Sequence, residues 1–175
     1  GFVRDLLLGI ENLDIDIVVE GDGIGFARAL GKKLDGRVRS HEKFGTSVIV
    51  LENNFKIDVA TARMEFYKHP AALPTVEMSS IKSDLFRRDF TFNSLAIKLN
   101  GKDAFYLIDY FNGLRDLKDK TIRVLHNLSF IEDPSRAFRA VRFEQRYQFT
   151  IGKQTESFMN NAIRKGLVDH LSGLR

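Results

Sequence analysis

Residues 13–17 alternate apolar and acidic side chains: Leu13, Asp14, Ile15, Asp16, Ile17. Strict alternation is the pattern of a half-buried β-strand, and side chains two apart on a strand leave the same face. Asp14 and Asp16 therefore stand on one face while Leu13, Ile15 and Ile17 cover the other. Like charges at that spacing repel, so folding alone gains nothing from the pair. Taken by itself, D-x-D more often just solvates one face of an edge strand. A divalent cation reverses the energetics, because it bridges both carboxylates and can hold a nucleoside triphosphate through its phosphate oxygens.

A third carboxylate, Asp58, interrupts a second β-rich segment, Lys56-Ile57-Asp58-Val59-Ala60. If the two strands are neighbours, a three-carboxylate site forms. Two metals could then bind, one activating an attacking hydroxyl and one stabilising a leaving pyrophosphate. The chain has no cysteine, which excludes disulfides, iron–sulfur clusters and cysteine-based zinc sites. Its four histidines lack metal-ligand spacing, so a catalytic metal should be a hard, oxygen-bound ion such as Mg²⁺. No apolar run approaches the roughly 18 residues of a membrane span, and no signal peptide is visible. A membrane partner is not expected, and a reducing cytoplasm is compatible with the cysteine count.

Residues 3–8 read as a short helix closed by Gly9, and residues 24–34 have helical spacing. Residues 46–51 and 55–60 flank Glu52-Asn53-Asn54 and read as a hairpin. Residues 67–80 carry His-Pro, Leu-Pro and Ser-Ser and read as a long, flexible loop. Regular structure resumes over residues 84–96. Beyond residue 127 the pattern turns helical. Asp133-Pro134 reads as a helix start with Asp133 as N-cap, and residues 155–167 as a further helix.

Three basic clusters accompany the carboxylates, within a net charge of +4. Arg4 lies near the start of the first helix, where guanidinium and helix terminus both suit phosphate. Arg87-Arg88-Asp89 is either a fork of donors beside an acceptor or an internal ion pair. Arg136, Arg139, Arg142 and Arg146 follow spacings of three and four and should line one helical face, with Ala137, Phe138, Ala140 and Val141 largely on the other. Such a stripe faces solvent or an anionic partner. Asp133, one turn before Arg136, sets an acceptor beside a donor. Cytosine and adenine each present an amino donor next to a ring-nitrogen acceptor, which a carboxylate and a guanidinium match.

In order along the chain, these segments resemble the class II tRNA nucleotidyltransferase (CCA-adding enzyme)/poly(A) polymerase family. Residues 1–9 followed by Asp14-Ile15-Asp16 are similar to the family's G-G-x-V-R-D-x-L-L-G…D-x-D signature, with the first glycine of the doublet missing. Residues 87–96 resemble its R-R-D-F-T-I-N-A-L-A motif, residues 109–117 its linker motif, and Glu132-Asp133-Pro134-Ser135-Arg136 its E-D-x-x-R motif.

The resemblance implies an α+β nucleotidyltransferase head with a small mixed sheet and flanking helices over residues 1–127, then an all-helical neck over 128–175. It implies truncation at both ends. Asp14, Asp16 and Asp58 would be catalytic, with Mg²⁺ on Asp14 and Asp16. Gly1, Arg4, Arg88, Asp89, Asn93, Asp133, Arg136, Arg139 and Arg142 would bind nucleotide, with Asp133 and Arg136 reading the base. Asp109, Gly113 and Glu132 would be structural. The implied activity is template-independent addition of A, or of C and A, from ATP and CTP to the 3′ end of tRNA. Poly(A) synthesis on other RNA and a non-catalytic RNA- or nucleotide-binding module are the alternatives.

Overall fold

The computed structural model describes residues 1–66 and 75–171. The chain divides into two compact units, Gly1–Glu65 with Val76–Leu85, and chiefly the residues from Phe86 onward.

The first unit opens with helix α1 (Phe2–Leu7), after which Gly9 takes φ 68°, the left-handed conformation expected of it. Strand β1 (Ile15–Val19), helix α2 (Gly23–Lys33) and strands β2 (Arg37–His41), β3 (Thr46–Val50) and β4 (Lys56–Thr61) follow. The strands form one mixed sheet of order β1-β4-β3-β2, with β1 and β4 parallel and the other pairs antiparallel. The expected hairpin is β3–β4. Strand β2 has no counterpart in the sequence reading. Only Val38 in it is apolar, as suits an edge strand that needs one side chain on the core.

Ala27, Ile49, Ile57 and Val59 are buried together, with Ile15, Ile17, Leu30 and Val38 packed on them. Helix α2 thus covers the sheet face that carries the apolar members of β1 and β4. Gly23 lets the helix start close to β4, since a Cβ there would lie 2.9 Å from the backbone nitrogen of Thr61.

Strands β5 (Arg63–Phe66) and β6 (Thr75–Met78) pair with each other. The loop expected over residues 67–80 is therefore corrected at 75–78, where the edge of β5 supplies hydrogen-bond partners that local sequence cannot reveal. Residues 67–74 lie outside the described residues. Helix α3 (Ile81–Phe86) ends this part of the chain, and its first N–H donates to the Glu20 carboxylate at 2.6 Å.

The second unit contains β7 (Ala96–Ile97), β8 (Leu107–Ile108), α4 (Gly113–Lys118), β9 (Thr121–Ile122), α5 (Ser129–Glu132), α6 (Arg136–Tyr147), β10 (Thr150–Ile151) and α7 (Lys153–Arg164). Its core is aromatic. Phe90 and Phe92 stack at 5.7 Å, and the edge of Phe143 meets both rings. Phe92 also meets Phe149 at 5.6 Å. The short strand β10 lies parallel to β9, so one ladder joins residues on either side of position 127.

Candidate functional site

In the first unit, backbone register brings two of the three carboxylates together. Asp16 and Asp58 are Cα partners in the parallel β1–β4 ladder. Both side chains are exposed, on the sheet face opposite the α2 core. Asp14 lies just before β1, and its backbone N–H donates to Asn12 Oδ1 at 2.8 Å. Burial raises the Asp58 pKa above its ordinary 3.8, the Asp16 and Asp14 charges raise it further, and Lys56 opposes them.

Among the described residues none of these three carboxylates has a side-chain hydrogen bond or ion pair. Nor do any three His, Asp or Glu side chains there form a ready-made metal cage. Two adjacent carboxylates with unbalanced charge fit Mg²⁺, which is commonly held by one or two carboxylates and completes its shell with water and substrate phosphate oxygens. Gly1 sits against this cluster. A Cβ there would lie 3.1 Å from Asp16 Oδ2, so any larger residue would press on the carboxylate.

Arg4 is turned away from solvent. Its Nε and Nη2 donate to the two carboxylate oxygens of Asp5 at 2.7 and 2.8 Å, and both residues are buried. Asn12 Nδ2 donates to the same carboxylate at 2.6 Å. Asp5 and Asn12 lie outside the residues expected at the site. A polar residue two positions before a D-x-D pair was the available signal.

In the second unit, Asp89 is the hub. Its Oδ1 accepts from its neighbour Phe90 N at 2.8 Å and from Asn93 Nδ2 at 2.9 Å. Its Oδ2 accepts from Arg139 Nε at 2.8 Å and from Arg139 Nη2. Of the two readings of Arg87-Arg88-Asp89, a donor fork or an ion pair, the carboxylate does pair, but with an arginine on α6. Arg88 Nη1 approaches the Asn93 carbonyl at 3.4 Å. Thr91 Oγ1 donates to the buried Asp116 at 2.7 Å, and Arg123 Nε donates to the same carboxylate. Asp116 was not anticipated as part of this network. Asp109 has the structural role expected, accepting from the N–H groups of Phe111, Gly113 and Leu114 at the start of α4.

The arginine stripe of α6 is not uniform. Arg136 is buried, donating to Ser129 Oγ and to the Arg87 carbonyl, whereas Arg139 and Arg142 are exposed. The apolar face also differs from expectation. Ala137, Ala140 and Phe143 are buried with Arg136, but Phe138 and Val141 face solvent. The two acceptors waiting for Arg136 rotate the helix relative to the simple charged-out arrangement. Asp133 is not the N-cap of α6 as expected: Ser135 takes that position, the helix begins at Arg136, and Asp133 instead closes α5. Its Oδ1 still accepts from Ser135 N at 3.1 Å and from Ser135 Oγ at 2.6 Å. No hydrogen bond to Asp133 Oδ2 is found among the described residues.

Residues 1–123 match the model of the poly A polymerase head domain. The whole chain is 60% identical to an A-adding tRNA nucleotidyltransferase of Geobacter sulfurreducens, of which it spans 20%. It is similar to the structure of a CCA-adding enzyme in an apo form at 55% identity, with a TM-score of 0.94 over 99% of this chain and 41% of that one. It also resembles a tRNA nucleotidyltransferase complexed with a primer tRNA and an incoming ATP analog, at 45% identity and TM-score 0.86 over 98% of this chain and 47% of that one. The chain thus spans a fifth to about half of the proteins it matches. With more than half of its residues under one family model, and carboxylates on adjacent strands of the matched region, it belongs to the poly A polymerase head domain family.

Proposed function

We propose that this chain is the nucleotide-transferring part of a template-independent enzyme that adds A, or C and A, from ATP or CTP to the 3′ end of tRNA. The observation that carries the reading is the register pairing of Asp16 with Asp58 beside Asp14, in a chain 60% identical to an A-adding tRNA nucleotidyltransferase. Asp14 and Asp16 would hold Mg²⁺, which when bound neutralises triphosphate charge and polarises the reacting phosphate. The RNA 3′-oxygen then forms a bond to the α-phosphorus and the bridging bond to the β-phosphate breaks, releasing pyrophosphate. Asp58, whose pKa is raised, is suited to take the hydroxyl proton.

The nucleotide would be held by Arg88, Asp89, Asn93, Arg139 and Arg142, with Asp133 reading the base edge. Arg136, expected to share that reading, is buried on Ser129 Oγ and the Arg87 carbonyl and would brace the start of α6 instead. Asp133 Oδ2 is the acceptor for an exocyclic amine. Gly1 keeps the approach to Asp16 open, whereas Arg4, expected to bind nucleotide, has its charge balanced by the buried Asp5 and would anchor the segment instead. Residues 1–127 would form the head and 128–175 the neck, a boundary supported by the end of the family match at residue 123. The enzyme would act in the cytoplasm, on the tRNA and nucleotides found there.

Radiolabelled extension of three RNAs tests this: tRNA ending before CCA, tRNA ending in CC, and a generic RNA, each with ATP or CTP and Mg²⁺. Extension of tRNA by the full-length enzyme, lost in Asp14→Asn and Asp16→Asn with the fold intact, is the expected result. Near-normal turnover by either variant, or equal extension of generic RNA, overturns it. Asp133→Ala should weaken ATP use and admit UTP or GTP, since each hydrogen bond to a charged partner contributes roughly 1.5–3 kcal/mol.

A further inference from the structure

The two carboxylates assigned to the metal are held in different ways. Asp16 sits inside β1, and its backbone is fixed by the ladder to β4. Asp14 precedes the first ladder pair, Ile15 with Ile57, so the sheet does not hold it. Its N–H is instead held by Asn12 Oδ1 at 2.8 Å. The other end of that amide, Nδ2, donates at 2.6 Å to Asp5 Oδ2. Asp5 is in turn clamped by two hydrogen bonds from Arg4, and the pair is only 1% and 6% exposed respectively.

This chemistry demands an amide at position 12. One side of the group meets a carboxylate, which can only accept, and the other meets a backbone N–H, which can only donate. Asparagine presents a donor to the first and an acceptor to the second, and the network allows one orientation. An aspartate there would set carboxylate against carboxylate, and an aliphatic residue would leave the buried Asp5 oxygen short of a donor. The buried Arg4–Asp5 pair is thus a fixed anchor, and Asn12 transmits its position to the backbone of Asp14.

We propose that Asn12 is a positioning residue for the metal-binding carboxylate Asp14, acting through the Arg4–Asp5 pair. The inference rests on the reading of Asp14 and Asp16 as metal ligands. Groups that orient a ligand from behind typically change metal affinity by about 10- to 100-fold when removed.

The test uses the full chain with Mn²⁺ as the probe, comparing wild type, Asn12→Ala and Asp14→Asn. Mn²⁺ binding is followed by paramagnetic resonance, and hydrogen exchange is followed at the Asp14 amide. Asn12 is only half-buried, so its truncation leaves little cavity. Asn12→Ala should weaken Mn²⁺ binding by roughly tenfold and speed Asp14 exchange by a similar factor, with a modest fall in melting temperature from the donor lost to Asp5, which keeps both bonds from Arg4. Should Asn12→Ala fail to fold, Asn12→Ser, whose single hydroxyl on a shorter arm does not span from Asp5 to the Asp14 N–H, is read the same way.

Unchanged Mn²⁺ affinity in the Asn12 variant, or weakened affinity with unchanged Asp14 exchange, overturns the proposal. Loss of binding in Asp14→Asn alongside a normal Asn12→Ala leaves the metal site standing and removes only the relay. Wild-type affinity in Asp14→Asn removes the metal reading itself, and the relay with it.

Discussion

Asp16 and Asp58 are paired across the parallel ladder of β1 and β4, so backbone register alone sets two carboxylates beside each other on one face of the sheet. Register is strongly specified here because the opposite faces of both strands carry Ile15, Ile17, Ile57 and Val59 against α2. A slip by one residue would turn isoleucines to solvent and aspartates into the core. The hydrophobic core therefore enforces an electrostatically unfavourable pair.

Removing one charge from that pair should stabilise the metal-free protein. The folded Asp58 pKa is raised, so its contribution favours the folded state below the unfolded pKa and is lost as pH rises through the folded value. At neutral pH the ionised carboxylate is a liability. Asp58→Asn should melt higher than wild type without divalent ions, by a margin that shrinks with added salt because the site is exposed. Mg²⁺ should raise the melting temperature of wild type more than that of the variant. Scanning fluorimetry across salt and Mg²⁺ reads both, and a lower melting temperature for the variant would contradict the electrostatic account.

Phe92 is fully buried among Phe90, Phe143 and Phe149. Phe92→Ala should cost about 3–5 kcal/mol, from lost burial plus the cavity left behind. Urea denaturation measures this, and Phe92→Leu should recover much of the loss.

The Asp89–Arg139 pair joins a buried carboxylate to a half-exposed guanidinium. Arg139→Ala leaves Asp89 short of a charged donor and should destabilise the protein by about 1–2 kcal/mol, less than a fully buried pair would. A double-mutant cycle with Asp89→Asn should yield a coupling energy of at least about 0.5 kcal/mol. Strict additivity would mean that the two side chains do not act as a pair in solution.

His126 is half-buried, in ring contact with Phe86, and its Nε2 lies 3.4 Å from Glu132. Burial lowers its pKa below 6.5, with the nearby Arg136 adding to the effect, so the neutral ring is the folded form and its contact with Glu132 is not a full ion pair. Below about pH 6.5 the unfolded chain takes up the proton more readily. Stability should then fall with pH until the depressed folded value is passed. His126→Asn should flatten that slope between pH 7 and 5 in thermal melts, and an unchanged slope would locate the pH response elsewhere.

Local sequence was sufficient wherever one segment carried its own physical rule. The alternation of residues 13–17 specified the strand from Ile15 onward and the outward face of Asp16, though not that Leu13 and Asp14 lie before it, and the Glu52-Asn53-Asn54 turn specified the hairpin. Gly9 declared the end of α1 through the left-handed conformation that it adopts. The order of the motifs was enough to indicate the family.

Partners distant in sequence were decided by tertiary structure. Nothing near Arg136 announces that Ser129 Oγ and the Arg87 carbonyl will receive it, so the arginine stripe read as uniformly exposed. Strand β6 is invisible locally because its hydrogen bonds depend on the edge of β5. The relay from Arg4 and Asp5 through Asn12 to Asp14 joins residues close in sequence, yet it required the helix and the strand entry to fold back on each other. Periodicity reports which face a side chain takes relative to its own backbone. Which donor meets which acceptor depends on where a second backbone runs, and that is settled only when the core packs.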